Sequence, residues 1–575
     1  MSLFKRSARG IRNNDRGKYD SVRRLMWLKC ESCGRLIYYK DFKENARICP
    51  KCNHVFLLTP PQRFNLLFDN NNWTPIKLPR VSDDPLCFID RKPYAERLAE
   101  AREETGFDDA VSAADGKISG AQATIAVMNP EFMMGSMGRA VGDGIVASIE
   151  HAISKKQPYI IVVASGGARM QENVLSLMQM ARTTAAVNRL HEAKLPYIVI
   201  LTDPTYGGVT ASFAMLGDIH IAEQGARIGF AGRLVIEQNM RERLPADFQT
   251  AEYLLEHGMV DIVAKRSDLK EVLDKIMAVV TKQPNLAGEI KVVQPKIDDR
   301  NTFRSNKKED STPAYEKVML ARNENRPHFL DYIGGLVTEW VPLSGDRTFG
   351  EDSALLGGLG FFRGMPVMIM GQELGRDIAT RQKHRFGMPT PEGYRKAARL
   401  MRMAEKFGIP IISLVDTSGA FAGKEGEERG QSEAVAKAIQ TGLSVATPYV
   451  AVIVGQGGSG GAIAIATGDK VLMLENAIYS VIAPESCASI LWKDNKMKAH
   501  AAEAMKLTAG DLSALHIIDG IVPEPEGGAH KDWQTTMENL GAAVTNALQE
   551  LSKIPAAKLP IHRAEKFFAM TRDIK

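Results

Sequence analysis

Short uninterrupted apolar runs, rich in Val and Ile, recur along this chain, and each ends in a glycine-rich turn. Such runs predict buried strands. In the N-terminal half, residues 118–128 read as two short strands around Gly120. Residues 158–164 read as a buried strand ending in Ser165-Gly166-Gly167-Ala168-Arg169. A further strand over 196–203 ends in Pro204-Thr205-Tyr206-Gly207-Gly208. Between them a 3.6-residue periodicity predicts helices over 139–154 and 172–192, and the small residues of 209–216 predict another. Upstream, 60–69 and 94–104 read as short amphipathic helices.

The C-terminal half repeats this order. Strands are predicted over 367–370, 410–416 and 449–454, with a helix over 392–407. The strand over 410–416 runs into Thr417-Ser418-Gly419-Ala420. The last strand runs into Gly455 to Asp469, GQGGSGGAIAIATGD. Pro158 and Pro410 differ by 252 positions, as do Gly167 and Gly419, Pro196 and Pro448, and Tyr197 and Tyr449. One register held over so many positions predicts a duplication of a whole domain. Glycine turns at the carboxyl ends of buried strands are where α/β folds place ligands. Two such turns side by side can aim backbone N–H groups at one point, which suits a developing oxyanion.

By spacing alone, Gly455-x-Gly457-x-x-Gly460 matches the dinucleotide fingerprint, with Glu475 about 20 residues on. The first copy lacks that spacing, so the repeated feature is a glycine turn leading into small residues. Ser165 and Ser418 have no identifiable histidine beside them, which argues against a serine nucleophile. Asp203 and Asp416, at strand ends, read as turn-bonding residues before they read as acids or bases.

Cysteine spacing adds a third module. Cys30-x2-Cys33 and Cys49-x2-Cys52 bring four thiolates together, as a structural Zn²⁺ requires, with a redox pair as the alternative. A Cys₄ shell leaves no open position for catalysis. Cys87 and Cys487 stand alone, and this sparse usage suits a reducing, cytoplasmic setting.

Charge changes the picture only at the start. The net charge of +5 over 575 residues is too slight to argue nucleic-acid binding. The first 29 residues, however, carry nine Lys/Arg against Asp15 and Asp20, so an arm that solvates itself or touches an acidic partner or RNA is expected there. The apolar stretch over 449–467 is broken by Gln456 and glycines and is not read as a membrane span. The expected organisation is a basic arm (1–25), a Cys₄ ribbon (26–56), a first domain (57–281), a linker (282–313), a second domain (314–555) and a tail (556–575).

The motifs are recognisable as a set. SGGARMQE (165–172), LTDPTYGGV (201–209), SFAMLGD (212–218) and IGFAGRLVIEQ (228–238), behind the Cys₄ knuckle, closely resemble the β subunit of bacterial acetyl-CoA carboxylase carboxyltransferase. AYEKVMLARN (314–323), FGMPTPEGYRKAARLM (386–401), GAFAGKEGEERGQSEA (419–434), GGSGGAIAI (457–465) and YSVIAPESCASILWK (479–493) resemble its α subunit. The chain looks like a fusion of the two.

The resemblance implies an α/β chain of two tandem crotonase-like (ββα superhelix) domains preceded by a small zinc ribbon. It implies transfer of carboxyl from carboxybiotin, on a biotin carboxyl carrier protein served by a biotin carboxylase, to acetyl-CoA, giving malonyl-CoA for fatty acid synthesis. One oxyanion hole, at Gly166, Gly167, Gly207 and Gly208, would hold the thioester enolate. The other, at Gly457, Gly458, Gly460 and Gly461, would hold the biotin ureido oxygen. The departing biotin nitrogen can take the acetyl proton, so no protein base is implied. A homodimer combining halves of different chains is implied as well. Arg169, Arg233, Arg381, Lys383 and Arg385 are the candidates for CoA phosphates. The chain departs from the α pattern at Asp416-Thr-Ser-Gly-Ala-Phe-Ala-Gly423, where prolines are usual, at Ser344, where His is usual, and at Gln456, where Glu is usual.

Overall fold

The computed structural model describes residues 27–233, 236–237, 243–282 and 312–570. The expected basic arm and nearly all of the expected linker lie outside these residues. The chain divides into two compact units, 1–254 with 263–274 and 255–262 with 275–575.

The first unit begins with a hairpin of β1 (Trp27–Lys29) and β2 (Leu36–Tyr38). The four cysteines and a small core of Ile37, Phe42, Leu28 and Phe56 complete this ribbon. Helix α1 (Pro60–Leu67) starts on Pro60 and Pro61, whose fixed φ suits a first turn. The main sheet runs β3 (Trp73–Ile76), β4 (Val111–Ile118), β5 (Ala121–Met128), β6 (Tyr159–Ser165), β7 (Tyr197–Thr205), β8 (Ile219–Glu223) and β9 (Ile262–Ala264), in that order. The first pairs are antiparallel and the pairs from β5 to β8 parallel. β6 and most of β7 are buried throughout, which is why their sequences read as continuous apolar runs. Helix α2 (Tyr94–Thr105) ends on Gly106 in the left-handed region, and α3 (Arg139–Lys155) packs on α4 (Asn173–Glu192). α5 (Leu269–Val280) follows β9, with five of its apolar side chains, Leu269, Leu273, Ile276, Met277 and Val279, completely buried.

The second unit holds α6 (Phe329–Leu336) and a sheet in the order β10 (Val337–Pro342), β11 (Leu355–Phe362), β12 (Met365–Gln372), β13 (Ile411–Thr417), β14 (Tyr449–Gly458), β15 (Lys470–Leu474) and β17 (Gly520–Val522). β16 (Ile478–Ser480) pairs off this path with the end of β14. α7 (Pro391–Phe407) packs on α8 (Gln431–Ser444), and α9 (Ser459–Ile463) opens directly from β14. α10 (Trp533–Leu551) and α11 (Leu559–Ala569) close the unit.

The duplication is visible in detail. Ser165 pairs with Thr205 after a register break in β6–β7, and Thr417 pairs with Gly457 after the same break in β13–β14. Both pairs are 252 residues apart. Tyr197 N–H donates to Asp218 Oδ2 at 2.8 Å, and Tyr449 N–H to Asp469 Oδ2 at 2.9 Å, so the Gly-Asp repeats after each turn do the same work.

Three sequence expectations need correction. Residues 209–216 form turns and a single 3₁₀ turn (Phe213–Met215) rather than a helix. The 57–281 boundary is crossed: 255–262 belongs to the second unit, where Gly258 O accepts Arg347 N and Asp261 binds Arg347 and Arg399. The expected tail contains α11, whose Arg563 is fully buried. Its guanidinium donates to Asp469 (2.6 and 3.0 Å) and to the carbonyls of Gly442, Val445 and Thr447.

Candidate active site and zinc ribbon

The sulfur atoms of Cys30, Cys33, Cys49 and Cys52 all lie within 4.8 Å of one another. Cys30 and Cys52 are 3.7 Å apart, and Cys33 and Cys49 3.9 Å. A tetrahedral Zn²⁺ with Zn–S bonds of about 2.3 Å sets its sulfurs about 3.8 Å apart, so these residues fit the ion. Lys51 N–H also points at Cys49 Sγ (3.4 Å), as it would at a thiolate. The ribbon is tied to the body by Arg266, which donates to the carbonyls of Ala46 (3.2 Å) and Phe56 (2.7 Å). Arg266 and Arg63 share Glu223, and all three are buried. Burial alone would raise the Glu223 carboxyl, but the two guanidiniums hold it down to about 2.

The glycine turns close at the ends of the parallel strands. In the first unit, Gly167 has φ +119° and Gly207 φ +66°; a Cβ on Gly207 would lie 3.2 Å from Gly167 Cα. Bare glycines are therefore what let the two turns meet. In the second unit, Gly419 has φ +151°, and a Cβ on Gly458 would lie 2.2 Å from Ser418 O.

Gly166 N–H goes to Met134 O (2.9 Å), Gly167 N–H to Ser165 Oγ (3.0 Å) and Gly207 N–H to Phe230 O (2.9 Å). Gly457 and Gly458 lie within β14, in register with Tyr479 and Ser480. These glycines shape the turns, and the N–H groups of Gly166, Gly167 and Gly207 are already bonded. Where the turns meet, the N–H groups of Ala168 and Gly208 in the first unit and of Ala420 and Gly460 in the second have no acceptor among the described residues. Gly461 N–H adds to the last set, because a helix's first N–H groups have no partner within it. A Cβ on Gly208 would touch Ala168 Cβ at 3.6 Å, and one on Gly461 would fall 2.4 Å from Ala420 N, so the two turns of each unit meet at these residues.

Ala168 and Ala420 were missed in the sequence. The signal was there: they stand 252 apart, one residue after each turn, as Gly208 and Gly460 do. Ser459 was missed too. Gly457-Gly458-Ser459-Gly460-Gly461 reads G-x-S-x-G, and Ser459 takes φ +54° between β14 and α9, the geometry of a nucleophile elbow. It is also the positional equivalent of Gly207, which explains the shared left-handed backbone.

The dinucleotide reading finds no support. Gly455 lacks a Cβ because Asp416 fills the space, its Oδ1 2.3 Å from where the Cβ would stand and accepting Gln456 N–H at 2.8 Å. Glu475 accepts the N–H of Glu524 at 3.1 Å within the fold. Gln456 takes Arg322 Nε–H at 2.8 Å while Glu485 holds the rest of that guanidinium, so a neutral amide replaces the usual carboxylate there without stranding Arg322.

The phosphate candidates divide by burial. Arg169 is only 1% exposed. Its guanidinium is spent on Asp109 (2.6 and 3.1 Å), Tyr94 (3.0 Å), Glu172 and Ser136, so it is a scaffold residue behind the first turn and not a phosphate contact. Arg233 is bound to Glu237 and to the carbonyls of Leu244 and Pro245. Arg381 reaches Glu324 (3.1 Å), and Arg385 stands 3.8 Å from Asp352. Lys383 is exposed, and its ammonium has no partner among the described residues.

Two stacked-turn units of this topology define the tandem crotonase-like carboxyltransferase class. Transcarboxylase 12S, solved with hydrolysed methylmalonyl-coenzyme A, shares this fold at a TM-score of 0.67 and 19% identity, over 89% of this chain and 91% of that one. A single-chain, multi-domain long-chain acyl-CoA carboxylase does so at 0.64 and 15%, over 91% of this chain and 51% of that one. The family model for acetyl co-enzyme A carboxylase carboxyltransferase-like proteins matches residues 259–571, and that for the acetyl-CoA carboxylase zinc finger domain matches 27–52. Among relatives, the acetyl-coenzyme A carboxylase carboxyl transferase subunits beta/alpha of Natranaerobius thermophilus is 44% identical over 99% of this chain and 95% of its own length. That of Clostridium tetani is 44% identical over 88% and 86%. The chain belongs to the acetyl-CoA carboxylase carboxyltransferase family, in its fused β/α form.

Proposed function

We propose that this chain moves a carboxyl group from carboxybiotin, presented on a biotin carboxyl carrier protein, to acetyl-CoA, forming malonyl-CoA. The observation that carries this reading is the pair of acceptor-free N–H groups in each unit, at Ala168 with Gly208 and at Ala420 with Gly460. Each pair is a fixed set of dipoles suited to an oxygen that gains charge. The first-unit pair holds the thioester oxygen as the enolate forms. The second-unit pair holds the ureido oxygen of biotin as carboxyl leaves. The released ureido nitrogen takes the acetyl proton, so the chain supplies orientation and charge stabilisation without a base. Zinc holds the ribbon and takes no part in the transfer.

The active form is a homodimer in which the first unit of one chain faces the second unit of its partner. Exposed apolar side chains on both units support this reading: Met170, Val174 and Leu177 in the first, and Ile378, Val481 and Leu491 in the second. Lys383 is the favoured CoA phosphate contact. No helix among the described residues is long and apolar enough to cross a membrane. A cytoplasmic setting, a biotin carboxylase as the enzyme charging the carrier, and a secondary nucleic-acid contact through the ribbon and basic arm are parts of the same proposal.

The test is carboxyl exchange between malonyl-CoA and biocytin by the purified protein. Exchange that is faster with malonyl-CoA than with methylmalonyl-CoA supports the proposal. Faster exchange with methylmalonyl-CoA moves the assignment to a propionyl-CoA enzyme, and no exchange with either overturns it.

A further inference from the structure

Tyr394 lies on α7, inside the motif FGMPTPEGYRKAARLM, and none of the steps above uses it. Its side chain is 0% exposed, and its hydroxyl has no hydrogen-bond partner among the described residues. A buried phenol normally finds one, because an unmade hydrogen bond costs the hydroxyl its lost hydration. The position of this hydroxyl is specific. The point where a Cβ on Gly461 would stand is 2.9 Å from Tyr394 Oη, 2.4 Å from Ala420 N and 2.5 Å from Gly419 C. The phenol therefore backs the second-unit turn at the residues that carry its open N–H groups.

The duplication supplies an internal control. In the 252 register Tyr394 corresponds to Gly142, on the equivalent helix α3. There Gln179 fills the space: its Oε1 lies 2.1 Å from where a Cβ on Gly142 would be, and it is bonded to Arg182 (2.8 Å). Gln431, the counterpart of Gln179, leaves its Oε1 unpartnered. At this matched helix position the first unit thus holds a bonded amide, and the second a phenol without a bond. An orphaned hydroxyl kept next to open N–H donors, in one copy of a duplicated site, points to a bond formed only when the turn is occupied.

We propose that Tyr394 is a positioning residue of the second-unit turn, whose hydroxyl completes its hydrogen bonding when an oxygen acceptor occupies that turn. The acceptor class is a urea-type carbonyl oxygen that gains negative charge. This rests on the proposed assignment of that turn to biotin. Burial drives the phenol's pKa well above its ordinary value, which keeps it a donor throughout the working range of pH.

The test uses full-length Tyr394→Phe, which keeps the ring and removes only the hydroxyl, beside the wild-type protein. Three quantities are measured: steady-state malonyl-CoA–biocytin exchange in both substrates, biocytin binding by saturation-transfer NMR, and thermal melting. The expected result is a loss of tenfold or more in kcat/KM for biocytin and a weaker biocytin signal. The KM for malonyl-CoA stays within twofold, and the melting temperature is unchanged or higher. Exchange within twofold of wild type overturns the proposal, and so does a loss confined to malonyl-CoA. A melting temperature lowered by several degrees also overturns it, since the hydroxyl would then have a structural partner. Absence of exchange by the wild-type protein would instead count against the proposed function, so the two failures are distinguishable.

Discussion

The N–H of Gly419 donates to the side-chain hydroxyl of Thr417 at 3.0 Å. Gly167 makes the same bond to Ser165, also at 3.0 Å, 252 residues earlier. In each unit a strand-end hydroxyl pins the peptide just before the open N–H group, and Thr417 also donates to Gly419 O at 2.7 Å. Ser165 is committed to the turn itself, in line with the absence of a partner histidine in the sequence.

Thr417→Val removes this clamp and leaves a buried N–H unpaired. The expected cost is about 1–3 kcal/mol in stability. Misplacement of Ala420 N–H should reduce exchange by about tenfold or more. Chemical denaturation and malonyl-CoA–biocytin exchange of Thr417→Val check both. Thr417→Ser, which restores the hydroxyl, should recover most of each loss.

Gly207→Ala tests the left-handed turn. At φ +66° an L-residue costs about 1–2 kcal/mol, and the new Cβ would stand 3.2 Å from Gly167 Cα. The two first-unit turns should be pushed apart, with a loss of exchange that exceeds the loss of melting temperature. At the equivalent Ser459 the same strain already exists. Ser459→Gly should therefore not lower the melting temperature, and any loss of exchange in that variant reports on the hydroxyl.

Zinc removal should act on the ribbon first. The ribbon's own core is small, and a Cys₄ site without its ion loses the bonds that hold its two CxxC turns together. Chelation, or Cys49→Ser, should release about one zinc per chain by metal analysis and expose 27–56 to proteolysis, while β6 and β7 keep their amide-exchange protection. Arg266→Ala should loosen the same segment with zinc still bound, because it deletes the bonds to Ala46 and Phe56.

Glu223 gives a pH signature. Its carboxyl is held at about 2, against an ordinary 4.5, despite the opposing effect of burial. The stability it contributes is fully present above about pH 4.5 and is lost as pH falls toward 2. The contribution is of the order of 3 kcal/mol. Urea unfolding of the wild type from pH 6 to 3 should show this slope, and Glu223→Gln should be less stable at pH 6 with a shallower slope below pH 4.5.

The sequence by itself determined the duplication, the central strands, the Cys₄ ribbon and the places where the turns fall. Those features are local or periodic: β6, β7, β13 and β14 are buried on both faces, so burial is written as uninterrupted Val and Ile, and CxxC spacing encodes its own geometry. Only the tertiary structure decided which N–H groups stay open. Gly166, Gly167 and Gly207 surrender theirs to Met134, Ser165 and Phe230, acceptors brought in by other loops or by the turn's own fold, and the open donors move to Ala168 and Gly208. It also decided that Arg169 is interior, that Arg563 anchors a helix where a tail was expected, and that Tyr394 stands without a bond beneath Gly461. Each of these depends on where a distant residue comes to rest. A one-dimensional pattern of apolar and polar positions records whether a residue is buried, but not what it meets there.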